Sequence, residues 1–201
     1  MVQEQIEHRG IRDTGVLKAM LKIPRHYFVP PPYEERAYND APLPIGGNQT
    51  ISQPYIVAYM SQALELRKGQ KVLEVGTGSG YQTAVLSELG GHVCTMEFLP
   101  ELSEQAKMLL REMGYASIRF HVGNGWKGWP EEAPFDRILV TAAAEKISPA
   151  LVDQLKERGR MVVPVGRDFQ QLVIGVKEHG VLQETETIAV RFVPLVKAEK
   201  S

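Results

Sequence analysis

Cysteine is nearly missing from this sequence: Cys94 stands alone among 201 residues. An intrachain disulfide and a cysteine-based metal cluster are therefore excluded, and Cys94, inside an apolar stretch, reads as a small buried hydrophobe. His8, His26, His92, His121 and His179 are scattered without ligand spacing, so no metal site is expected. Excess charge is missing too. Lysine and arginine number 23 against 24 acids, a formal net charge of -1, which gives no basic footprint for a phosphate backbone and makes nucleic acid a poor candidate partner. No run approaches the ~20 apolar residues of a membrane span, and Met1 to Arg9 has no apolar centre of the kind a signal peptide carries. The expectation is a cytoplasmic protein with no membrane partner. Internal repeats and low-complexity tracts are absent as well.

What is present is enough apolar sequence, 43% of residues, to bury one sizeable core, and the length predicts a single domain over 1–201. Within it, residues 1–66 read as an N-terminal cap and residues 67–201 as an α/β core. Ile6, Val16, Leu17, Met20 and Leu21 recur at helical spacing, predicting an amphipathic helix across the first twenty residues. Between Pro24 and Pro54 seven prolines argue against long regular structure, while the aromatic residues there argue for an ordered cap. Helix follows over Pro54 to Leu66. Strands are then predicted at Lys71–Val75, His92–Glu97, Ile118–Val122, Arg137–Thr141 and Arg160–Val165. Helices are predicted between them near Tyr81–Leu89, Pro100–Met113 and Ser148–Glu157. This alternation means a doubly wound, mostly parallel α/β sheet of seven strands. Gln171–Glu178 and Glu184–Leu195, joined at Gly180, should add an antiparallel C-terminal strand pair at one edge.

Chemistry concentrates where the first core strand ends. Gly76-Thr77-Gly78-Ser79-Gly80 lies between that strand and a helix, a place where glycines let a ligand rest on bare backbone and where N–H groups are unpaired. Glu97 ends the next strand, positioned for both hydroxyls of a ribose; its alternative reading is a solvated strand-end acid. Glu74, inside the first strand, needs a partner if ionised, either loop N–H groups or a bound cation. A dinucleotide loop has G-x-G-x-x-G spacing and faces a pyrophosphate. The spacing here is G-x-G-x-G, with an acid upstream that suits a cationic ligand, so the adenosyl ligand is expected to be a sulfonium.

The loop resembles the first motif of class I S-adenosylmethionine methyltransferases. Beyond it, Pro24-Arg25-His26-Tyr27-Phe28-Val29-Pro30, Tyr38-Asn39-Asp40, Pro42 to Gly46, Thr50-Ile51-Ser52-Gln53-Pro54, Pro134 to Ile138, Thr141 to Ala144, Pro164-Val165-Gly166 and Phe192 to Leu195 stand in an order that resembles one family within that class, the protein-L-isoaspartate (D-aspartate) O-methyltransferases. The resemblance implies methyl transfer from S-adenosylmethionine, leaving S-adenosylhomocysteine, to the free α-carboxylate of isoaspartyl residues in age-damaged proteins and peptides. The ester then collapses to a succinimide, so the implied role is repair, by a protein expected to be a monomer.

The same resemblance assigns residues. Ser52 becomes the active-site serine that orients the substrate carboxylate, although its position before Pro54 also suits a helix N-cap. Gly76, Thr77, Gly78 and Gly80 lie under the cofactor with Glu74 and Glu97, and Asn124-Gly125 sits at the adenine, where the family usually has aspartate in place of Asn124. Thr50, Ile51, Thr141, Ala142 and Ala143 are candidates for the wall between cofactor and substrate, with packing at strand ends as the alternative. The short tail from Val196 onward has no polar group to assign to the substrate, which leaves its backbone for contact with the peptide. Trp126 and Trp129 are expected to pack on the core rather than stack on adenine. Three rivals remain at this level: a nicotinamide-dependent dehydrogenase, a nucleic-acid base methyltransferase, and a sensor that binds isoaspartyl peptides without turnover.

Overall fold

The computed structural model describes residues 1–196; of the tail from Val196 to Ser201 only Val196 lies among them. The chain opens with a wide helical turn at Val2–Ile6 and a tight one at Glu7–Arg9, and the first true helix is α1 (Thr14–Lys22). The continuous helix expected over the first twenty residues is thus corrected. Gly10, at φ 97°, reverses the chain, and the Asp13 carboxylate accepts the Val16 N–H at 2.9 Å to start a new helix. Val16, Ala19 and Met20 form its buried stripe.

The proline-rich stretch folds as an ordered cap with more regular structure than its prolines suggest. Tight turns at Arg25–Phe28 and Pro31–Arg36 lead into a hairpin of β1 (Leu43–Gly46) and β2 (Gln49–Ile51). Gly46 and Gly47 both have positive φ in its turn, so the glycine pair makes a hairpin where the prolines suggested irregular chain. Then follow α2 (Pro54–Leu64), β3 (Lys71–Val75), α3 (Tyr81–Glu88), β4 (His92–Glu97), α4 (Pro100–Glu112), β5 (Arg119–Val122), β6 (Phe135–Val140), α5 (Pro149–Gln154), β7 (Leu155–Val165), β8 (Gln170–Glu178) and β9 (Val181–Val190).

The last seven strands form one sheet in the order β5-β4-β3-β6-β7-β8-β9. The pairs from β5 to β7 are parallel, and β8 and β9 add antiparallel at the edge. Alternate residues of the central strands serve two cores. Val72, Val93, Leu139 and Val162 pack with the cap and α1 to α4, whereas Leu73, Cys94, Ile138 and Met161 pack with α5 and Trp129. Most boundaries lie within about three residues of the sequence expectation, and two lie further off. β7 begins straight after α5, because Leu155 already pairs with Phe135. β9 stops at Val190, which pairs with the first residue of β8, Gln170, and so has no partner to continue against. Among the described residues no helix is long and apolar enough to cross a membrane.

Candidate functional site

The chain leaves β3 for β4 and β5 on one side, then returns to β6 on the other, so the carboxyl ends of β3 and β6 diverge. That divergence is where open α/β sheets leave room for a ligand. The glycine loop follows β3 there and Thr141 follows β6. Gly76 and Thr77 donate their N–H groups to the Met96 carbonyl at 2.8 and 3.1 Å, while the Thr141 hydroxyl bonds the Val75 and Gly76 carbonyls at 3.1 and 2.6 Å. A Cβ on Gly76 would stand 2.3 Å from that hydroxyl; the fold itself requires glycine there. Glu97 accepts Gly78 N–H at 2.9 Å on one oxygen and Phe98 and Leu99 N–H at 2.8 and 3.1 Å on the other. At 8% exposure it is a buried organiser of the loop and not a solvated strand-end acid.

Around this loop is a cleft of about 780 Å³, its open mouth included, bordered by Thr50, Ile51, Ser52, Gly76, Thr77, Gly78, Glu97, Gly125, Thr141, Ala142 and Val196. These are the sequence-predicted residues that the fold brings together. Four others are placed elsewhere. Glu74 is fully buried outside the cleft border, and the loop N–H groups do not reach it: one oxygen accepts the Thr83 and Thr95 hydroxyls at 2.5 and 2.6 Å, and the other has no hydrogen-bond partner among the described residues. Burial pushes its carboxyl from the ordinary 4.5 up to about 8, so at neutral pH it is largely uncharged and offers a cation little. Gly80 precedes α3 at φ 86°, and a Cβ there would meet Leu110 Cδ1 at 2.9 Å, so it serves the packing of α3 on α4. Asn124 turns its Oδ1 onto the Trp126 N–H at 3.0 Å, leaving Gly123 and Gly125 to line the cleft. Ala143 stands behind the wall, accepting Leu195 N–H and donating to the Val193 carbonyl, both at 2.8 Å. Trp129 stacks on His121 with ring centroids 4.8 Å apart, on the core side, as expected.

Ser52 sits between β2 and α2. The helix-cap reading is corrected: α2 has no side-chain cap of its own, and the Tyr55 N–H goes to Asp40 Oδ1 at 3.1 Å. Asp40 also accepts Gln53 Nε2 at 2.7 Å and pairs with Arg9. Ser52 is held through its carbonyl, which accepts Arg25 Nη2 at 2.7 Å, while Arg25 Nε reaches the Ala37 carbonyl at 2.8 Å. Arg25 is completely buried and lies 4.7 Å from the Tyr81 ring centroid. Burial lowers its pKa to about 10, still above neutrality. With its backbone pinned, the Ser52 hydroxyl has no partner among the described residues and borders two cavities at once.

The second cavity is a groove of about 1550 Å³, its mouth included, running from Pro42, Ser52, Gln53 and Thr141 along Ala189 to Pro194. Sequence reasoning found neither this groove nor the part played by Val193 and Pro194, which border both cavities, nor Tyr81 and Gln82, which border the cleft. Val193 to Leu195 read as the end of a strand, and only the bridge to Ala143 reveals them as a wall. Tyr81 and Gln82, directly after the glycine loop, were findable as the first helical turn facing a ligand.

A family model described as protein-L-isoaspartate(D-aspartate) O-methyltransferase matches residues 1–200. The chain belongs to the protein-L-isoaspartate (D-aspartate) O-methyltransferase family. A protein-L-isoaspartate O-methyltransferase of Gloeobacter violaceus is 54% identical over 199 residues, covering 98% of this chain and 97% of that one. Two solved methyltransferases share the fold. One, a protein-L-isoaspartate O-methyltransferase, is 31% identical with a TM-score of 0.87, over 96% of this chain and 65% of that one. The other, from Plasmodium falciparum, is a putative family member in complex with S-adenosyl-L-homocysteine, 26% identical with a TM-score of 0.82 over 98% and 97%.

Proposed function

We propose that this chain transfers a methyl group from S-adenosylmethionine to the α-carboxylate of L-isoaspartyl residues in damaged proteins and peptides, the step that starts their repair through a succinimide. The observation that carries the reading is the meeting of cleft and groove at Ser52 and Thr141, with an unpartnered serine hydroxyl at the junction. Membership of the family supplies the substrate class.

The cleft suits the cofactor. Glu97, already turned to the loop, stands at its border for ribose hydroxyls, and the bare edges of Gly76 and Gly78 leave room for the sugar and amino acid. Gln82, bordering the same cleft, has its side-chain carbonyl oxygen buried and unpartnered, an acceptor of the kind an ammonium group would satisfy. The cofactor supplies an activated methyl on a sulfonium; everything else is placement by this chain. The acceptor carboxylate, with a pKa of roughly 3.5, is already ionised at neutral pH, so no base is required. Ser52 donates its hydroxyl to that carboxylate and orients it, Thr50, Ile51, Thr141 and Ala142 frame the passage between the two ligands, and the cap and Val196 exclude water. Asn124, with its oxygen on its own turn, supports the adenine-side loop, and the adenine meets Gly123 and Gly125. The whole chain acts as one unit, because cap and core border the same cleft.

The test is transfer of labelled methyl to an isoaspartyl peptide with its aspartyl isomer as control. Selective labelling of the isoaspartyl form is expected, and labelling of neither or both equally would sink the reading. Ser52→Ala should lower kcat/KM for the peptide about tenfold, the worth of one hydrogen bond to a charged group, with little change in cofactor affinity.

A further inference from the structure

The groove that continues from Ser52 has one charged residue on its border among the described residues, Arg191. The other border residues are apolar or neutral, among them Pro42, Gln53, Ile56 and Val190. Arg191 is exposed and has no hydrogen-bond or ion-pair partner among the described residues. Two acids adjoining residues around the groove are already paired: Asp40, bonded to Gln53, pairs with Arg9, and Glu145, beside Ala144, pairs with Arg167. One unpaired positive charge therefore borders a groove that is otherwise uncharged among the described residues.

Its distance from the chemistry follows from the chain. Val193 borders both cavities, and Arg191 lies two residues before it. Two residues of chain span at most about 7 Å, so an extended peptide running beside Ala189 to Val193 meets Arg191 within about two residues of the junction between the cavities. Backbone fit alone would accept any neighbouring side chain there. The unpaired guanidinium does not.

We propose that Arg191 is a specificity-determining residue that makes this chain prefer isoaspartyl sites with an aspartate or glutamate one to three positions away, on the side of the peptide lying along Ala189 to Val193. The inference rests on the isoaspartyl reading above. An exposed pair is modest and screened by salt, so the discrimination is in KM and amounts to about two- to fivefold.

The experiment compares isoaspartyl peptides bearing glutamate, glutamine or lysine at each of the three positions on either side, for the wild-type protein and Arg191→Glu. The expected result is a lower KM with glutamate than with lysine on one side only, a gap that narrows at high salt, and a reversed order in Arg191→Glu. Equal KM values across the charge series, or a preference that survives Arg191→Glu, overturn the proposal while the glutamine peptides still report methyl transfer. If no isoaspartyl peptide is methylated, the function reading falls and this one with it.

Discussion

At Glu74 a carboxyl is sealed from water among Thr83, Thr95 and apolar neighbours, whereas at Glu97 the same group gathers three backbone N–H groups at the edge of the cleft. Sequence placed both acids at the cofactor, since both flank the glycine loop; only the side-chain directions separate them. Glu97→Gln should therefore weaken S-adenosylhomocysteine binding at least tenfold by calorimetry, while Glu74→Gln changes it less than about threefold. Glu74 also makes stability depend on pH. Its folded pKa, about 8, exceeds the ordinary 4.5, so between those values the folded state holds the proton more tightly. Stability contributed by the neutral form is complete below the lower value and is lost as pH rises through the upper one. Urea midpoints at about pH 5 and about pH 8 should differ less for Glu74→Gln than for the wild type, and an unchanged difference would place the titrating group elsewhere.

At the level of elements, periodicity located every strand and every long helix of the core, because alternation and helical spacing are local properties. It failed where tertiary partners decide. Gly10 and Asp13 split the first helix, Gly46-Gly47 made a hairpin in a proline-rich stretch, and the start of β8 fixed the end of β9. Gly80 shows how one glycine motif serves two purposes. Its neighbours Gly76 and Gly78 border the cleft, but its own missing side chain allows α3 to approach α4. Gly80→Ala combines a left-handed φ with a contact of 2.9 Å to Leu110, so it should lower unfolding stability by about 1–3 kcal/mol. At a temperature where the variant is folded, its cofactor affinity should match the wild type; a large loss of affinity would return Gly80 to the binding surface.

Across the whole molecule, the cleft depends on parts far apart in sequence: the cap's Thr50 to Ser52, the loop after β3, Thr141 after β6, and Val193 to Val196. The sequence made the loop readable because glycine spacing is a local signal. The shared wall was not readable, since it is held by Ala143 and by Gln170, whose side chain accepts the Phe192 N–H at 2.6 Å and donates to the Phe192 carbonyl at 3.1 Å. Gln170→Ala frees both groups at once. Because the wall serves two cavities, KM for S-adenosylmethionine and for the peptide should rise together, each by about three- to tenfold. A rise in only one would mean that the two compartments do not share it.

That wall also orders events during synthesis. Ribosomes deliver a chain from its N-terminus, and the cap, the glycine loop and all nine strands emerge before the stretch from Arg191 to Val196. A nascent protein that has reached Val190 can pair its strands, yet its cleft still lacks the wall that Val193 to Val196 supply, so the site is completed last.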